Sequence, residues 1–494
     1  MKSRFSKAAL VAAGLGALAL AGAPSTAFAS VHTEPTAPTP TAGRTLGPDT
    51  KFFVPAPPDG SVAQIAGLVK SGDLTDAAKI ARMVTTPQAV WFNGTTKSGA
   101  PQNPGQIVES VRLTMLEARA EHSVPVLVVY NIPGRDCSQY SSGGAATDAA
   151  YQQWMTGFAR GLGQGKAVVL VEPDALANLP SDCPAGAYAN ETNPPTDASR
   201  IADISFDVNL LENDPNASVY LDAGHSAWHS VGDMASRLVQ AGVQKAQGFF
   251  LNVSNYQYTQ NEVDYGTWIS DCIALGAGST SYNYSANCPN QYWNGGPATS
   301  WNGTAMTPYQ IWTSGNTNLA ADTDGIDSRY ASMLGSTTPT THFVVDTSRN
   351  GTGPNDMSTY AAAPYDQPAN VISTLESGNW CNPPGAGLGV APTADTSGVS
   401  PLLDAYLWVK TPGQSDGQCD ATGGVRAWDN SAYTPPISGW PAQGSATFSS
   451  FDPLWSIQTG AVTTDPAAGA WFPQQALQLA QLANPALPAG ALWP

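Results

Sequence analysis

The sequence predicts an α/β fold of the TIM type, a distorted parallel β/α barrel of about seven strands with long active-site loops. Three observations support this prediction. Short apolar runs recur along the chain, each run ends in polar residues, and amphipathic stretches with helical spacing lie between several of them. Because the runs are continuously apolar and do not alternate, we expect a parallel sheet that is buried on both faces.

The expected strands are spaced widely enough to leave room for helices between them. They are residues 89–94, 124–131, 166–174, 217–225, 248–256, 341–349 and 405–413. Apolar residues at helical spacing mark residues 102–122, 148–163 and 232–243 as helices. This number of units favours a barrel over an open sheet, and in such barrels the chemistry gathers at the carboxyl ends of the strands.

Composition limits the partners of the protein. The chain has 494 residues, of which 42% are hydrophobic, so it can bury a substantial core. Only 12% are charged and the net charge is -17, which argues against nucleic acid and an acidic membrane surface as partners. A neutral, hydroxylated ligand fits better, because 14 Trp and 17 Tyr offer flat faces that stack on sugars. We expect a monomer without a cofactor. A metal site is not expected either, since no C-x-x-C motif occurs.

The N-terminal 29 residues have the pattern of a secretory signal peptide. Three basic residues precede an apolar run at residues 8–23, and Ala-Phe-Ala at 27–29 resembles a cleavage site. A membrane anchor would need about 20 continuous apolar residues. Residues 30–48 read as a Pro/Thr-rich leader or linker. We expect residues 49–494 to form one domain of a secreted, extracellular protein.

Cysteine usage agrees with secretion. The chain has six cysteines, an even number that predicts three disulfide bridges in an oxidising compartment. Several connectivities are possible, and pairing in sequence order is favoured. The cysteines are Cys137, Cys183, Cys272, Cys288, Cys381 and Cys419.

Carboxylates follow two neighbouring strands where each strand ends. The segment VVYNIPGRDC places Asp136 after the second run, and VEPD places Glu172 and Asp174 around a proline that fixes the backbone. Carboxyls at adjacent strand ends can raise each other's pKa, which keeps one of them protonated as a general acid. The alternatives are that Asp136 forms a salt bridge with Arg135 or caps a helix, and that Asp174 caps a helix over ALANL.

These segments resemble a known family. VVYNIPGRDC and VLVEPDALANL resemble the two signature segments of glycoside hydrolase family 6, the inverting cellulases. The segments YLDAGHSAW, LNVSNY, THFVVDTSRNG, WCNPPGAGLG and LWVKTPGQSDG follow in the family's order. The resemblance covers nearly all of residues 50–490.

The resemblance implies catalytic roles, which are carried over by position. Asp174 matches the general acid, which protonates the departing glycosidic oxygen. Asp136 matches the carboxylate that supports the acid's raised pKa and stabilises the cationic sugar. Tyr130 matches a tyrosine that helps to distort the sugar, and Ser142 a serine that holds the attacking water. Asp416 matches the carboxylate that is expected to receive the proton of that water.

The resemblance also implies substrate contacts and a disulfide pattern. The substrate-binding residues are Trp228, His225, Asn252, Trp380 and Lys410, with Arg135 and Asp222 in the polar frame around the acid. Gln414 stands where the family often has Glu, and a Gln keeps hydrogen-bonding capacity without charge. The bridges Cys137–Cys183 and Cys381–Cys419 are implied, which leaves Cys272–Cys288 as a local bridge.

The mode of attack depends on two long insertions, residues 257–340 and 420–465, which lack obvious regular structure. We expect them to be ordered, because they hold the expected bridge Cys272–Cys288 and Trp268, Trp293, Trp301, Trp312, Trp428, Trp440 and Trp455. In the family that the chain resembles, endoglucanases have an open cleft, whereas cellobiohydrolases roof it with loops into a tunnel. Together with the two insertions, this resemblance favours an exo-acting cellobiohydrolase that releases cellobiose, by analogy within the family from the non-reducing end. The alternatives are an endo-β-1,4-glucanase with an open cleft and, more distantly, a non-catalytic secreted β-glucan-binding protein.

Overall fold

The computed structural model describes residues 44–292, 304–362, 369–376, 378–419 and 465–487. The expected signal peptide and the greater part of the leader lie outside these residues. So does most of the second insertion, residues 420–464, together with Trp293, Trp301, Trp428, Trp440 and Trp455.

Seven parallel strands form a single sheet in sequence order, as the apolar runs predict. The strands β1 to β7 are Val90–Phe92, Val126–Val129, Ala167–Val171, Ala217–Asp222, Gly248–Leu251, His342–Asp346 and Leu403–Leu407. Each strand pairs in parallel with the next one along the chain. Strands β1, β2, β3 and β5 end before the polar tail of the expected segment, whereas β4 and β6 end on its first polar residue, Asp222 and Asp346. The other polar residues of these tails lie in the loops that follow.

The sheet curls until its first and last strands meet. No ladder joins β1 to β7 within the described residues. Instead, the N–H of Ala89 donates to the carbonyl of Trp408 at 2.9 Å, and the indole Nε1 of Trp91 donates to the carbonyl of Val409 at 2.8 Å. The fold is therefore the distorted barrel that the sequence predicts.

The central strands are buried on both faces, which explains their continuous apolar sequence. Leu127 and Val129 of β2 pack in a cluster with the surrounding helices. Val126 and Val128 alternate with them and pack in a second cluster inside the barrel. Because successive side chains of a strand point to opposite faces, both sets must be apolar.

Helices surround the strands. In chain order, α1 to α11 are Ser61–Ser71, Leu74–Val84, Pro104–Ala120, Asp148–Leu162, Asp197–Leu211, Val231–Ala241, Thr259–Gly276, Tyr284–Asn287, Asp324–Leu334, Ala369–Glu376 and Pro473–Gln481. The three predicted helices correspond to α3, α4 and α6. The start of α3 follows from sequence, because Asn103 accepts N–H groups of the first turn and Gln106 bonds back to the N–H of Asn103.

The expectation of irregular structure for residues 257–340 is wrong over much of its length. Helices α7 and α9 occupy a large part of it. Helix α7 is buried around most of its circumference, including the polar Asn261, Glu262 and Ser270, so it has no polar face to reveal a helical period. Trp268 and Trp312 stack on each other inside the core, with ring centroids 5.6 Å apart. These two tryptophans support the fold and are not available to a ligand.

Three disulfides join the cysteines in sequence order, Cys137–Cys183, Cys272–Cys288 and Cys381–Cys419. The first bridge connects the loop after β2 to the loop after β3, and the second ties the end of α7 to the residue after α8. Among the described helices, none has the length and apolar character needed to cross a membrane.

Gly248 tests the packing of β5 against β6. A Cβ at this position would lie 1.7 Å from the carbonyl oxygen of His342 in β6, so Gly248→Ala should lower the free energy of unfolding by about 1–3 kcal/mol or more. Gly67→Ala in α1 is the matched control, because a Cβ at residue 67 meets nothing within 4 Å. This substitution should leave the free energy of unfolding unchanged or raise it. Thermal melts followed by circular dichroism would contradict this packing if both variants melted together.

Candidate active site

Polar and aromatic residues at the carboxyl ends of the strands line one cavity of about 550 Å³. It receives Trp91 from β1 itself, side chains from the loops that follow β2 to β5 and β7, and side chains from segments near residues 308, 354 and 380. The residues predicted from the sequence that line it are Tyr130, Asp136, Asp174, His225, Trp228, Trp380, Lys410 and Asp416.

Asp174 is presented by an unusual backbone turn after β3. Glu172 and Asp174, on either side of Pro173, both adopt left-handed backbone conformations, with φ of 52° and 66°. Such conformations are costly for residues other than glycine and persist where the surroundings impose them. The proline alone therefore does not set the orientation of Asp174; the contacts of the turn do.

Asp222, the last residue of β4, imposes this turn. Its buried carboxylate accepts the N–H groups of Leu176 and Ala177 at 3.1 and 2.9 Å, and that of Gly224 at 3.1 Å. Asp174 thus does not cap a helix over ALANL, since no helix forms there and Asp222 takes these N–H groups. Burial raises the pKa of Asp174 well above its usual range, and the negative charges of Asp222 and Asp136 raise it further.

Asp136 begins the short 3-10 turn Asp136–Ser138, in which all three residues have positive φ. Its carboxylate accepts the N–H of Ser141 at 2.5 Å. Burial raises the pKa of Asp136 to about 6, although this N–H and the charges of Arg135 and Lys410 oppose the rise. A carboxyl with this pKa is mostly ionised at neutral pH.

Arg135 does not form an ion pair with Asp136. Its guanidinium donates to the carbonyls of Ser141 and Asn93, at 2.8 and 2.9 Å, and also to that of Tyr130. It lies over the ring of Tyr130, 4.5 Å from the centroid. The alternative reading of Asp136 as the partner of Arg135 is therefore wrong, and Arg135 frames the loop behind the cavity.

Asp416 has the opposite electrostatic environment. The buried guanidinium of Arg349 donates to both of its carboxylate oxygens, at 2.9 and 2.8 Å, and Lys410 Nζ lies 3.0 Å from one of them. The N–H of Asn382 and the hydroxyl of Tyr256 also donate to it. Despite burial, Arg349 and Lys410 lower the pKa of Asp416 to about 2. Asp416 is a permanent anion at neutral pH.

Comparison with known proteins agrees with this geometry. The profile of glycosyl hydrolases family 6 matches residues 48–483. The chain belongs to this family. Endoglucanase 1 of Streptomyces halstedii is 32% identical over 75% of this chain and 84% of its own length, and endoglucanase A of Cellulomonas fimi is 30% identical over 72% and 54%. Probable 1,4-beta-D-glucan cellobiohydrolase C of Aspergillus terreus is 26% identical over 73% and 59%.

The solved structure of the endoglucanase Cel6 from Mycobacterium tuberculosis is 28% identical, with a TM-score of 0.52 over 88% of this chain and 97% of that one. Several curated relatives are longer than the part that this chain matches. The chain spans 66% of endoglucanase 1 of Streptomyces sp. (strain KSM-9) and about half of endoglucanase A of Cellulomonas fimi.

Two tryptophans of this family 6 site pack against other aromatic rings. Trp228 stacks on His229 with a centroid distance of 5.7 Å and lies 5.4 Å from His225. Burial lowers the pKa of His225 to about 3, so His225 is neutral above that pH. Trp380, beside the Cys381–Cys419 bridge, contacts Tyr140. The rings line the cavity without introducing charge, which suits an uncharged ligand.

Five predicted site residues do not line the cavity: Ser142, Asn252, Arg135, Asp222 and Gln414. Ser142 is exposed, and its neighbour Ser141 lines the cavity instead. Gln414 is half-buried and forms a main-chain bridge with Trp471. Arg135 and Asp222 act behind the cavity wall, which agrees with a polar frame but not with direct contact.

Asn252 is a correction to the expected substrate contacts. It is fully buried, and its amide group donates to the carbonyl of Asp346 and accepts the N–H of Gln257, at 3.0 and 3.1 Å. These bonds hold the turn after β5, where Asn252 has a φ of 68°. Asn255 of the same segment lines the cavity in its place.

Sequence reasoning missed several lining residues. Asn255, Tyr256 and Gln257 follow β5 directly, so the rule that polar residues at strand ends form the site could have found them. Pro354 and Asn355 lie in the loop after β6. Others lie far from any strand in sequence, and no pattern marks them. They are Pro308, Tyr309, Glu376 and Asn379.

The contribution of the Arg349–Asp416 ion pair to stability can be tested by replacing Arg349. Arg349→Met should destabilise the fold by about 3–5 kcal/mol at pH 7, because it leaves a buried carboxylate without its main partner. The folded pKa of Asp416 lies below its ordinary value, so the pair stabilises the fold above that value and the stabilisation is lost as the pH falls toward 2. The loss in melting temperature should therefore be large at pH 7 and smaller at pH 3.

The exposed Arg82 in α2 provides the control, and Arg82→Met should change the free energy of unfolding by less than about 0.5 kcal/mol. An Arg349→Met variant that melts like the Arg82→Met variant at pH 7 would contradict the role of the ion pair.

Proposed function

We propose that this family 6 protein is a cellulase that hydrolyses β-1,4-glucosidic bonds with inversion at the anomeric carbon. The observation that carries the proposal is the pair of Asp174 and Asp136 in one aromatic-lined cavity, with the pKa of Asp174 raised by burial and by neighbouring charges. A carboxyl in this setting keeps its proton near neutral pH and can donate it to a leaving glycosidic oxygen.

The two carboxyls have different tasks in the proposed reaction. Asp174 donates its proton to the glycosidic oxygen as the bond breaks. Asp136, ionised at neutral pH, raises the pKa of Asp174 and stabilises the positive charge that develops on the sugar ring. Water attacks the opposite face of the sugar and releases one proton to the solvent as its oxygen bonds to the anomeric carbon. This inverts the configuration and yields an α-anomer from a β-linkage.

Asp416 is less suited to accept the proton of the attacking water. Its pKa of about 2 makes it a weak base, and its oxygens already accept from Arg349, Lys410, Asn382 and Tyr256. We propose that Asp416 supplies a fixed negative charge and holds Lys410 at the cavity wall.

The position of Ser141, not Ser142, on the cavity wall favours Ser141 as the contact to the attacking water.

A secreted β-glucan-binding protein without activity would share the aromatic lining. It would not need a carboxyl with a raised pKa beside a second carboxyl, an arrangement that costs stability and is found mainly at functional sites. Secretion itself remains a proposal, resting on the N-terminal 29 residues and on the three disulfides.

For the mode of attack, we propose exo action that releases cellobiose from the non-reducing end. The support is that the cavity wall includes residues from segments far from the strand ends, around Tyr309 and Glu376. The second insertion, on which the expectation of a tunnel also rests, lies outside the described residues except for Asp465. Relatives named endoglucanase are more similar to this chain than those named cellobiohydrolase, which favours endo action as the alternative.

Asp174→Asn should lower kcat on cellotetraose by about 10³-fold or more, because an amide cannot supply the proton. The same variant should lose far less on a dinitrophenyl cellobioside, whose leaving group needs no protonation. In the wild type, kcat should fall as the pH rises through the raised pKa of Asp174. An Asp174→Asn variant with wild-type turnover of cellotetraose would refute the general acid, and a first product of β-configuration would refute inversion.

The mode is tested on soluble carboxymethyl cellulose. Exo action should release reducing sugar while the viscosity falls slowly, and cellobiose should dominate the products from the first minutes. A rapid fall in viscosity with little reducing sugar released would establish the endoglucanase alternative and overturn the proposed exo mode. Asp174→Asn, assayed in parallel, shows which part of either signal comes from this site.

A further inference from the structure

A buried chain of polar groups lies behind the two loops that carry the catalytic carboxyls. The hydroxyl of Tyr151 in α4 lies 3.0 Å from Glu172 Oε1 and 2.5 Å from Asp207 Oδ2 in α5. All three side chains are fully buried. None of them lines the cavity, so the proposed reaction does not use them directly.

The hydrogen bonds among Glu172, Tyr151 and Asp207 require one of the two carboxyls to carry a proton. One phenolic hydrogen cannot donate to two ionised carboxylates at once, so one of the two carboxyls must be protonated. Burial and the charges of Glu172 and Asp203 raise the pKa of Asp207 well above its usual range. Asp207 Oδ1 has no hydrogen-bond partner among the described residues, which a neutral carboxyl tolerates far better than an ionised one.

Glu172 has the partners of an ionised carboxylate. Burial raises the pKa of Glu172, but the N–H of Asn131 donates to both of its oxygens, at 2.8 and 3.0 Å, and the N–H of Ile132 donates as well, and these bonds oppose the rise. A consistent arrangement follows in which Asp207 donates to the Tyr151 oxygen, and Tyr151 donates to Glu172. Glu172 then accepts from the main chain of the neighbouring loop.

These bonds join the two catalytic loops. Asn131 and Ile132 follow β2 and lead to Asp136, whereas Glu172 follows β3 and lies two residues before Asp174. Arg200 of α5 reinforces the link from below, since its guanidinium donates to the carbonyls of Pro133 and Gly134 in one loop and of Ala175 and Asn178 in the other, at 2.9–3.3 Å. Helix α5 therefore supports both loops through Arg200 and Asp207.

We propose that Glu172 is a positioning residue for the reaction: as an ionised carboxylate, held through Tyr151 by a proton-bearing Asp207, it fixes the loop of Asp136 relative to Asp174. The proposal rests on the function proposed above. The proposal predicts that neutralising the two buried carboxyls has different effects on kcat, because Glu172 acts as an ionised group whereas Asp207 is already neutral.

The test compares Glu172→Gln with Asp207→Asn. In Glu172→Gln, one of the two acceptor oxygens is replaced by an NH2 group, which cannot accept from the N–H groups of Asn131 and Ile132. The loop should therefore shift, and kcat on cellotetraose should fall about 10- to 100-fold, with KM changed less than about threefold. Asparagine mimics a neutral aspartic acid, so Asp207→Asn should keep kcat within about twofold of the wild type. Asp404→Asn, at the opposite end of the barrel in a pair with His342, controls for general destabilisation and should lower the melting temperature without lowering kcat.

Two readouts are independent of turnover. The infrared difference spectrum between wild type and Asp207→Asn at pH 7 should contain the carbonyl band of one protonated carboxyl, and the crystal structure of Glu172→Gln should show a displaced loop at residues 131–136. An ionised Asp207, an unmoved loop, or equal losses of kcat in both variants would overturn the proposal. A wild type that hydrolyses no cello-oligosaccharide would instead refute the proposed function, while the spectrum and the crystal structure would still decide the proton and the loop position.

Discussion

The site depends on the attachment of two neighbouring strand-end loops to each other. The loop after β2 carries Asp136 and the loop after β3 carries Asp174. A covalent bridge, Cys137–Cys183, joins them on the outside, and buried hydrogen bonds from Glu172 and Arg200 join them underneath. Both carboxyls sit on left-handed backbone, a conformation that these cross-links sustain. Without such restraints, two acidic groups in one cavity would move apart to lower their repulsion.

The same few elements assign opposite protonation states to carboxyls in one cavity. Asp174 is desolvated by burial and has like charges nearby, so its pKa rises, whereas Asp416 faces Arg349 and Lys410, so its pKa falls to about 2. The pKa of Asp136 is about 6. The proton needed for the proposed chemistry is therefore confined to one place by the arrangement of fixed charges and by burial. The surrounding rings of Trp228 and Trp380 leave this electrostatic pattern undisturbed because they are neutral.

The aromatic residues serve two separate purposes, and the sequence does not distinguish them. Trp228 and Trp380 line the cavity, whereas Trp268 and Trp312 stack inside the core between α7 and its neighbours. Helix α7 shows a related ambiguity, since its buried polar residues hide the helical period. Asn261, for example, bonds to the main chain of residues 310 and 312, which anchors part of the first insertion against the barrel.

The sequence by itself determined the seven strands, their parallel order, and the carboxyls at the ends of β2 and β3. It could do so because a strand buried on both faces must be apolar throughout and must end where polar residues begin. Only the tertiary structure decided four features of the site. They are the left-handed turns, the role of Asp222 behind the acid, the burial of Asn252, and the positions of Tyr309 and Glu376 in the cavity wall. Each of them depends on contacts between segments distant in the chain, and neither periodicity nor spacing encodes which N–H a carboxylate will accept. Spacing alone shows Glu172 and Asp174 as a symmetrical pair around Pro173, and only the family resemblance singles out Asp174. The fold gives the physical difference, because it turns Asp174 toward the cavity and Glu172 toward Tyr151.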